Sequence, residues 1–181
     1  MPTEIALDIE TTGLPERRGF DKYYDPHDIT KYDNSRVVSI GLYSNDFQKY
    51  GIIKPDNFTI ENSHFHGITQ HTAETNGVSL SEFFDDDTIH KLKNYEIVLG
   101  HNINFDLHVL KSDLIRHNIS PNIFPKKIIC TMKKGKEFLS QRKAPKLTEL
   151  YENLFKKDYM TAHNALQDAQ MSFLCYKKMC M

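Results

Sequence analysis

Residues 4–10 read Glu-Ile-Ala-Leu-Asp-Ile-Glu, and no other stretch restricts the fold so tightly. Ile5, Leu7 and Ile9 alternate with Ala6, Asp8 and Glu10, which is the period of a β-strand. Side chains two positions apart share a face, so Asp8 and Glu10 point the same way, about 7 Å apart along the strand. Like charges beside an apolar sheet repel each other and lose hydration. The pair demands a cation, a proton or open solvent.

A chain of 181 residues is long enough for one well-buried core and short for two, so a single domain over 1–181 is expected. Its 39% hydrophobic and 26% charged residues suit a globular protein. No apolar run reaches the length of a membrane span, and the N-terminal residues lack a basic segment followed by an apolar one. The expectation is a soluble, intracellular, cytoplasmic protein with no membrane partner. Cys130, Cys175 and Cys180 have no C-x-x-C spacing, which argues for a reducing compartment and against a thiolate zinc site. The formal net charge of −1 hides an asymmetry. Lys126, Lys127, Lys133, Lys134, Lys136, Arg142, Lys143, Lys146, Lys156 and Lys157 face only Glu137, Glu149 and Glu152 in the same region, whereas "FFDDDT" (83–88) is acidic. Such a basic run is either a solvated helix face or a rim that steers a polyanion.

Strand patterns fall at 4–9, 37–44, 48–54, 95–99 and 127–130, and helical patterns at 79–93, 103–117, 147–156 and 163–179. Three strands first, then strands alternating with helices, predict an α/β protein. Its mixed five-stranded sheet would be an antiparallel meander extended by parallel strands and flanked by helices. Residues 15–36 lack periodicity and read as a long insertion loop.

Two further constellations stand out. "GHNINFDLHVL" (100–110) follows a strand directly, placing Asn102 at a strand's carboxyl end, where open α/β sheets bind ligands. Asp106 lies beside the apolar stripe of Ile103, Leu107 and Leu110. In "AHNALQDAQMSFL" (162–174), Asp168 borders the apolar face of Ala165, Leu166, Ala169, Phe173 and Leu174. His163 and Asp168 would not stack on one helix, so His163 belongs at or just before its start. Each acid alone has an ordinary structural explanation. Together, Asp8, Glu10, Asp106 and Asp168 cannot share a small pocket as anions without metal. Oxygen ligands suit Mg²⁺ or Mn²⁺, and two such ions about 4 Å apart clamp the oxygens of a phosphodiester.

"LDIETTGL" (7–14), "GHNINFDLHVL" and "HNALQDA" (163–169) resemble, in order, the three motifs of the DEDDh 3′–5′ exonucleases, such as proofreading epsilon-type subunits and RNase T. "HGIT" (66–69) and "KLTEL" (146–150) are similar to connecting segments of that family. The resemblance implies an RNase H-like fold and two Mg²⁺ (or Mn²⁺) ions held by Asp8, Glu10, Asp106 and Asp168. It implies His163 as general base toward the attacking water, and release of nucleoside 5′-monophosphates from DNA or RNA 3′ ends, single-stranded ones above all. It also implies nucleic-acid contacts from Thr11, Leu14, His66, Ile68 and Asn102, although Ile68 reads equally as core and His66 as a turn residue. Two alternatives stay open: a proofreading-type subunit working only within a polymerase or other replication complex, and a catalytically inactive nucleic-acid-binding module. DNA versus RNA preference and oligomeric state are not decided by the sequence. The insertion departs from the family pattern. Its Arg17, Arg18, Tyr23 and Tyr24 suit either strand contact beside the site or packing on one another.

Overall fold

The computed structural model describes residues 3–19, 22–157 and 164–181. The first strand is β1 (Glu4–Thr11). The insertion holds a small hairpin of β2 (Arg17–Gly19) and β3 (Lys22–Tyr23), then a 3-10 turn over Ile29–Tyr32. β4 (Val37–Tyr43) and β5 (Gln48–Ile52) complete the meander. Four short helices follow: α1 (Ser63–His66), α2 (Gln70–Asn76), α3 (Leu80–Phe83) and α4 (Asp86–Lys93). The remainder runs β6 (Ile97–Gly100), α5 (Ile103–Arg116), β7 (Lys127–Cys130), α6 (Thr131–Phe138), α7 (Leu147–Phe155) and α8 (Ala165–Met179).

The five-stranded sheet has the order β5-β4-β1-β6-β7. β4 is antiparallel to both β1 and β5, while β6 and β7 run parallel to β1. This is the mixed α/β sheet flanked by helices that the element order predicts, in the RNase H-like arrangement. The alternation in β1 sorts its side chains between two layers. Ile5, Leu7 and Ile9 join the core shared with Leu107, Leu110 and Leu114 of α5, whereas Ala6 faces Ala169, Phe173 and Tyr176 of α8. α8 is itself covered on its far side, where Met171, Cys175 and Met179 pack on Leu150 of α7. This second contact explains why its buried set differs from the predicted stripe, with Leu166 and Leu174 only half-buried.

The predicted helix at 79–93 is two helices. The Ser79 hydroxyl accepts from the Glu82 amide to start α3, and the Asp85 carboxylate accepts from the Thr88 amide at 2.7 Å to start α4. The acidic run at 83–88 therefore contains a cap and a first helical turn, where carboxylates complement the helix dipole. Helix α6 adds to the predicted helices; its buried residues are Thr131 and Gly135, neither of which belongs to an apolar stripe of large side chains. Its register is set by Gly135, where a Cβ would come within 2.8 Å of the Leu150 side chain.

The insertion is braced against α5. Tyr32 is fully buried, and its hydroxyl donates to the Tyr24 carbonyl at 2.6 Å. Tyr23 packs on His108, with ring centroids 5.0 Å apart, and on Phe105. The Arg17 and Arg18 guanidinium groups lie 5.7 and 5.8 Å from the Tyr23 and Tyr24 rings. These tyrosines are thus engaged within the protein rather than presented as stacking platforms. At the insertion's end, Asp113 of α5 accepts from Arg36 Nε at 2.6 Å and from the Val37 amide at 2.7 Å. Burial pushes the Asp113 carboxyl up in pKa, and the Arg36 charge opposes that shift without cancelling it. Removing one member of a buried pair leaves the other charge orphaned. Asp113→Ala is expected to cost about 3–5 kcal/mol in urea denaturation, and Arg36→Met with Asp113→Leu to cost much less.

Candidate active site

Because Ala6 faces α8, the same alternation directs Asp8 and Glu10 toward α8 as well. Asp168 lies in the first turn of that helix. One carboxylate oxygen from each of Asp8, Glu10 and Asp168 lies within 4.8 Å of the others, and all three residues are half-buried. Two residues on a strand and one on a helix more than 150 positions later thus share one pocket.

What lets α8 come so near is the absence of a side chain. Gly41 of β4 pairs with Asp8, and a Cβ on Gly41 would fall 2.3 Å from the Ala165 carbonyl. Gly41 and Ala165 therefore form the contact on which the start of α8 rests. The Asn164 side chain caps the helix by accepting from the Leu166 amide at 3.0 Å.

Asp106 arrives from the other layer. β6 pairs with β1 only from Glu4 to Ala6, so among the described residues no strand neighbours the farther β1 amides on that side. The Ile9 amide donates to Asp106 Oδ1 at 3.1 Å instead, and Asp106 is almost fully buried. Asn102, just before α5, holds a left-handed backbone (φ 64°) that asparagine tolerates, and this turns the chain sharply from strand to helix.

The cluster is electrostatically strained. Burial first, then the charges of Asp106, Asp168 and Glu10, raise the Asp8 pKa well above the carboxylate range. Glu10 is pushed up to about 8 by burial, with Asp168 and Asp106 adding. Asp106 is pushed up to about 8 by burial, against the lowering effect of the Ile9 amide. An all-oxygen donor set whose members resist ionising beside one another fits a hard divalent cation, which supplies the missing positive charge.

The other residues singled out in the sequence lie around this strand end. The Thr11 hydroxyl donates to the Gly13 carbonyl at 2.8 Å. Leu14 is 64% exposed and lines a cavity of about 560 Å³ together with Gly13, Asn34, Phe58 and Glu61. Asn62 Nδ2 donates to the Thr11 carbonyl at 2.8 Å, and Asn62 Oδ1 lies 3.3 Å from His66 Nε2. His66 is buried, and its Nδ1 accepts from the Ile68 amide. Ile68 is buried among Val38, Ile60 and Ala73. His163 lies outside the described residues, next to Asn164. Sequence reasoning missed Asp113 and the Gly41–Ala165 contact. Asp113 stands seven residues, two helical turns, beyond Asp106, a spacing that marks one face of α5.

Two outcomes follow. Gly41→Val is expected to push α8 off the sheet and to lose divalent-cation binding, read by calorimetric titration with Mn²⁺, while circular dichroism keeps its helical signal. In metal-free protein the raised carboxyls hold protons that the unfolded chain releases near pH 4, so stability falls as pH rises from about 4 to about 8. The thermal midpoint is expected to drop over that window, and added Mn²⁺ to raise it more at about pH 8 than at about pH 5. A midpoint that climbs over the window without metal contradicts the assignment.

Comparison with known proteins agrees with this geometry. The model of the RNase T exonuclease family matches residues 5–176. No curated protein matches the chain by sequence. Among solved structures, the nuclease domain of 3′hExo, a DEDDh family member bound to rAMP, superposes with a TM-score of 0.73 at 16% identity, covering 99% of this chain and 92% of that one. A 3′-exonuclease recognising a histone mRNA stem-loop gives 0.73 at 15% identity, over 98% of this chain and 63% of the other. E. coli exonuclease I in complex with an oligonucleotide gives 0.69 at 16% identity over 98% of this chain, which spans only 40% of that enzyme. At such identities the superpositions establish a common fold, and the family match carries the rest. The chain belongs to the RNase T exonuclease family.

Proposed function

We propose that the protein removes nucleotides one at a time from the 3′ end of single-stranded DNA or RNA, hydrolysing the terminal phosphodiester to a nucleoside 5′-monophosphate. The observation that carries this reading is the meeting of Asp8, Glu10 and Asp168 within 4.8 Å. Asp106 is held at the same strand end by the Ile9 amide. These four acids are the residues that would hold two Mg²⁺ or Mn²⁺ ions. Such ions supply positive charge to the attacking and leaving oxygens of a phosphodiester.

The chain's own residues supply the remainder. His163 is the general base in this reading, because an imidazole titrates near operating pH and the residue directly precedes the cap of α8. Leu14 and the cavity it lines receive the terminal nucleotide, Leu14 acting as an apolar wedge. Thr11 touches the same nucleotide, His66 and Ile68 line its pocket, and Asn102 orients the strand. The likeness to structures bound to an oligonucleotide and to rAMP supports a nucleic-acid substrate without choosing between deoxyribose and ribose.

The test is a 5′-labelled single-stranded oligonucleotide incubated with Mg²⁺ and resolved on a sequencing gel. Wild type is expected to yield a descending ladder. His163→Ala is expected to slow the ladder by about 10²–10⁴-fold, the usual contribution of a general base, and Asp8→Asn to abolish it. Ca²⁺ in place of Mg²⁺ is expected to preserve binding and suppress turnover, since its looser coordination positions the attacking water poorly. Equal degradation by all three proteins would refute the assigned roles.

A further inference from the structure

A second concave surface opens on the same edge of the sheet, away from the acids. β1, β6 and β7 are parallel, so their carboxyl ends lie together, and α6 begins directly where β7 stops. Thr131 is fully buried there, with Oγ1 at 3.2 Å both from the Gly100 carbonyl and from His101 Nδ1. The other ring nitrogen of His101, Nε2, lies 3.0 Å from the Pro145 carbonyl and donates to it. His101 thereby ties the segment before α7 to the corner where α6 begins.

Between α6 and that segment lies a cavity of about 580 Å³, lined by Lys133 and Lys136 on one side and Arg142 and Lys143 on the other, around Met132 and Ala144. One acid, Glu137, shares the lining. Among the described residues, Lys136, Arg142 and Lys143 stand in no ion pair, and all three are exposed. A solvated helix face spreads its cations over a convex surface. Here two separate chain segments aim them into one hollow, whose protein walls focus the field. Met132 and Ala144 offer an apolar patch inside the cationic rim, suited to the face of a base. One wall of the groove is α6, which starts from the end of β7, and β7 lies two strands from the β1 end that carries Asp8 and Glu10. A groove set to the side of the acidic cluster suits a strand that continues away from the nucleotide being cleaved.

We infer that this groove binds the phosphate backbone of a nucleic-acid strand whose 3′ end occupies the acidic site. Lys136, Arg142 and Lys143 hold phosphates a few nucleotides upstream. The inference rests on the exonuclease reading for the polarity of the strand, and on the groove alone for its affinity. It makes the affinity for long strands dependent on the groove and leaves the chemistry to the acids.

The experiment compares wild type with Lys136→Glu/Lys143→Glu, and with Lys136→Gln/Lys143→Gln should the reversed charges disturb folding. Binding of a fluorescent oligothymidylate of about twelve nucleotides is followed by anisotropy in Ca²⁺ over a salt series. Turnover is followed on the same oligomer in Mg²⁺ and on thymidine 5′-monophosphate p-nitrophenyl ester, which is too short to reach the groove. The charge-reversed variant is expected to raise Kd and KM for the oligomer at least about tenfold, and to flatten the salt slope by about two. Ester hydrolysis and oligomer kcat are expected to stay at the wild-type level. Unchanged Kd and salt slope in a folded variant would overturn the groove assignment, as would wild type that binds no oligomer. Wild type that binds the oligomer through these lysines yet cleaves neither substrate would leave the groove standing and sink the exonuclease reading instead.

Discussion

The hydrogen bond from the Ile9 amide to the Asp106 carboxylate joins the two halves of the molecule at the point that matters most. β6 ends before β1 does, and the open amide of a central strand would be costly in a buried setting. An acid from α5 takes the place of the absent strand. The same bond that completes the sheet holds a carboxylate at the edge where Asp8 and Glu10 emerge. Structure and chemistry are served by one contact, so the acid cannot drift away without exposing the strand end.

Around that point the protein accumulates repulsion that its core must outweigh. Burial and mutual charge drive Asp8, Glu10 and Asp106 toward their protonated forms, and Asp168 contributes to the charge felt by each of them. Sites prepared for a cation commonly sacrifice stability in its absence. The compensation is close by: Ile5, Leu7 and Ile9 are buried against α5, and Ala6 lies under α8. The pair Arg36–Asp113 and the fully buried Tyr32 fasten the insertion to α5, stiffening the helix that presents Asp106. A segment with the composition of a surface loop acts as a brace.

The sheet was readable because each strand carries its period or its apolar run, and the order of elements leaves few topologies. The motifs were readable because Asp8, Glu10, Asp106 and Asp168 each border an apolar stripe, where a lone charge needs a reason. Other features escaped for physical reasons. The break at Phe84 and Asp85 turns on which carboxylate accepts which amide, and an acidic run does not announce that choice. α6 packs closely on α7 because Gly135 leaves room for Leu150, which is a property of the pair and not of either segment. The tyrosines of the insertion have the composition of a stacking surface, yet three-dimensional packing turns Tyr23 onto His108 and Tyr24 toward Arg18 and Lys31.

The amino-acid order alone determined that β1 must carry Asp8 and Glu10 on one face, since side chains alternate along any strand. It likewise determined that two helices bring one acid each beside an apolar stripe, since a helix repeats every 3.6 residues. Only the tertiary structure decided that Asp8, Glu10 and Asp168 meet and that Asp106 is held at the same strand end. That outcome depends on the missing Cβ of Gly41, on the early end of β6 and on the two layers that clasp β1. Local periodicity tells which way a side chain faces. The distance between faces is set by the atoms that pack between them.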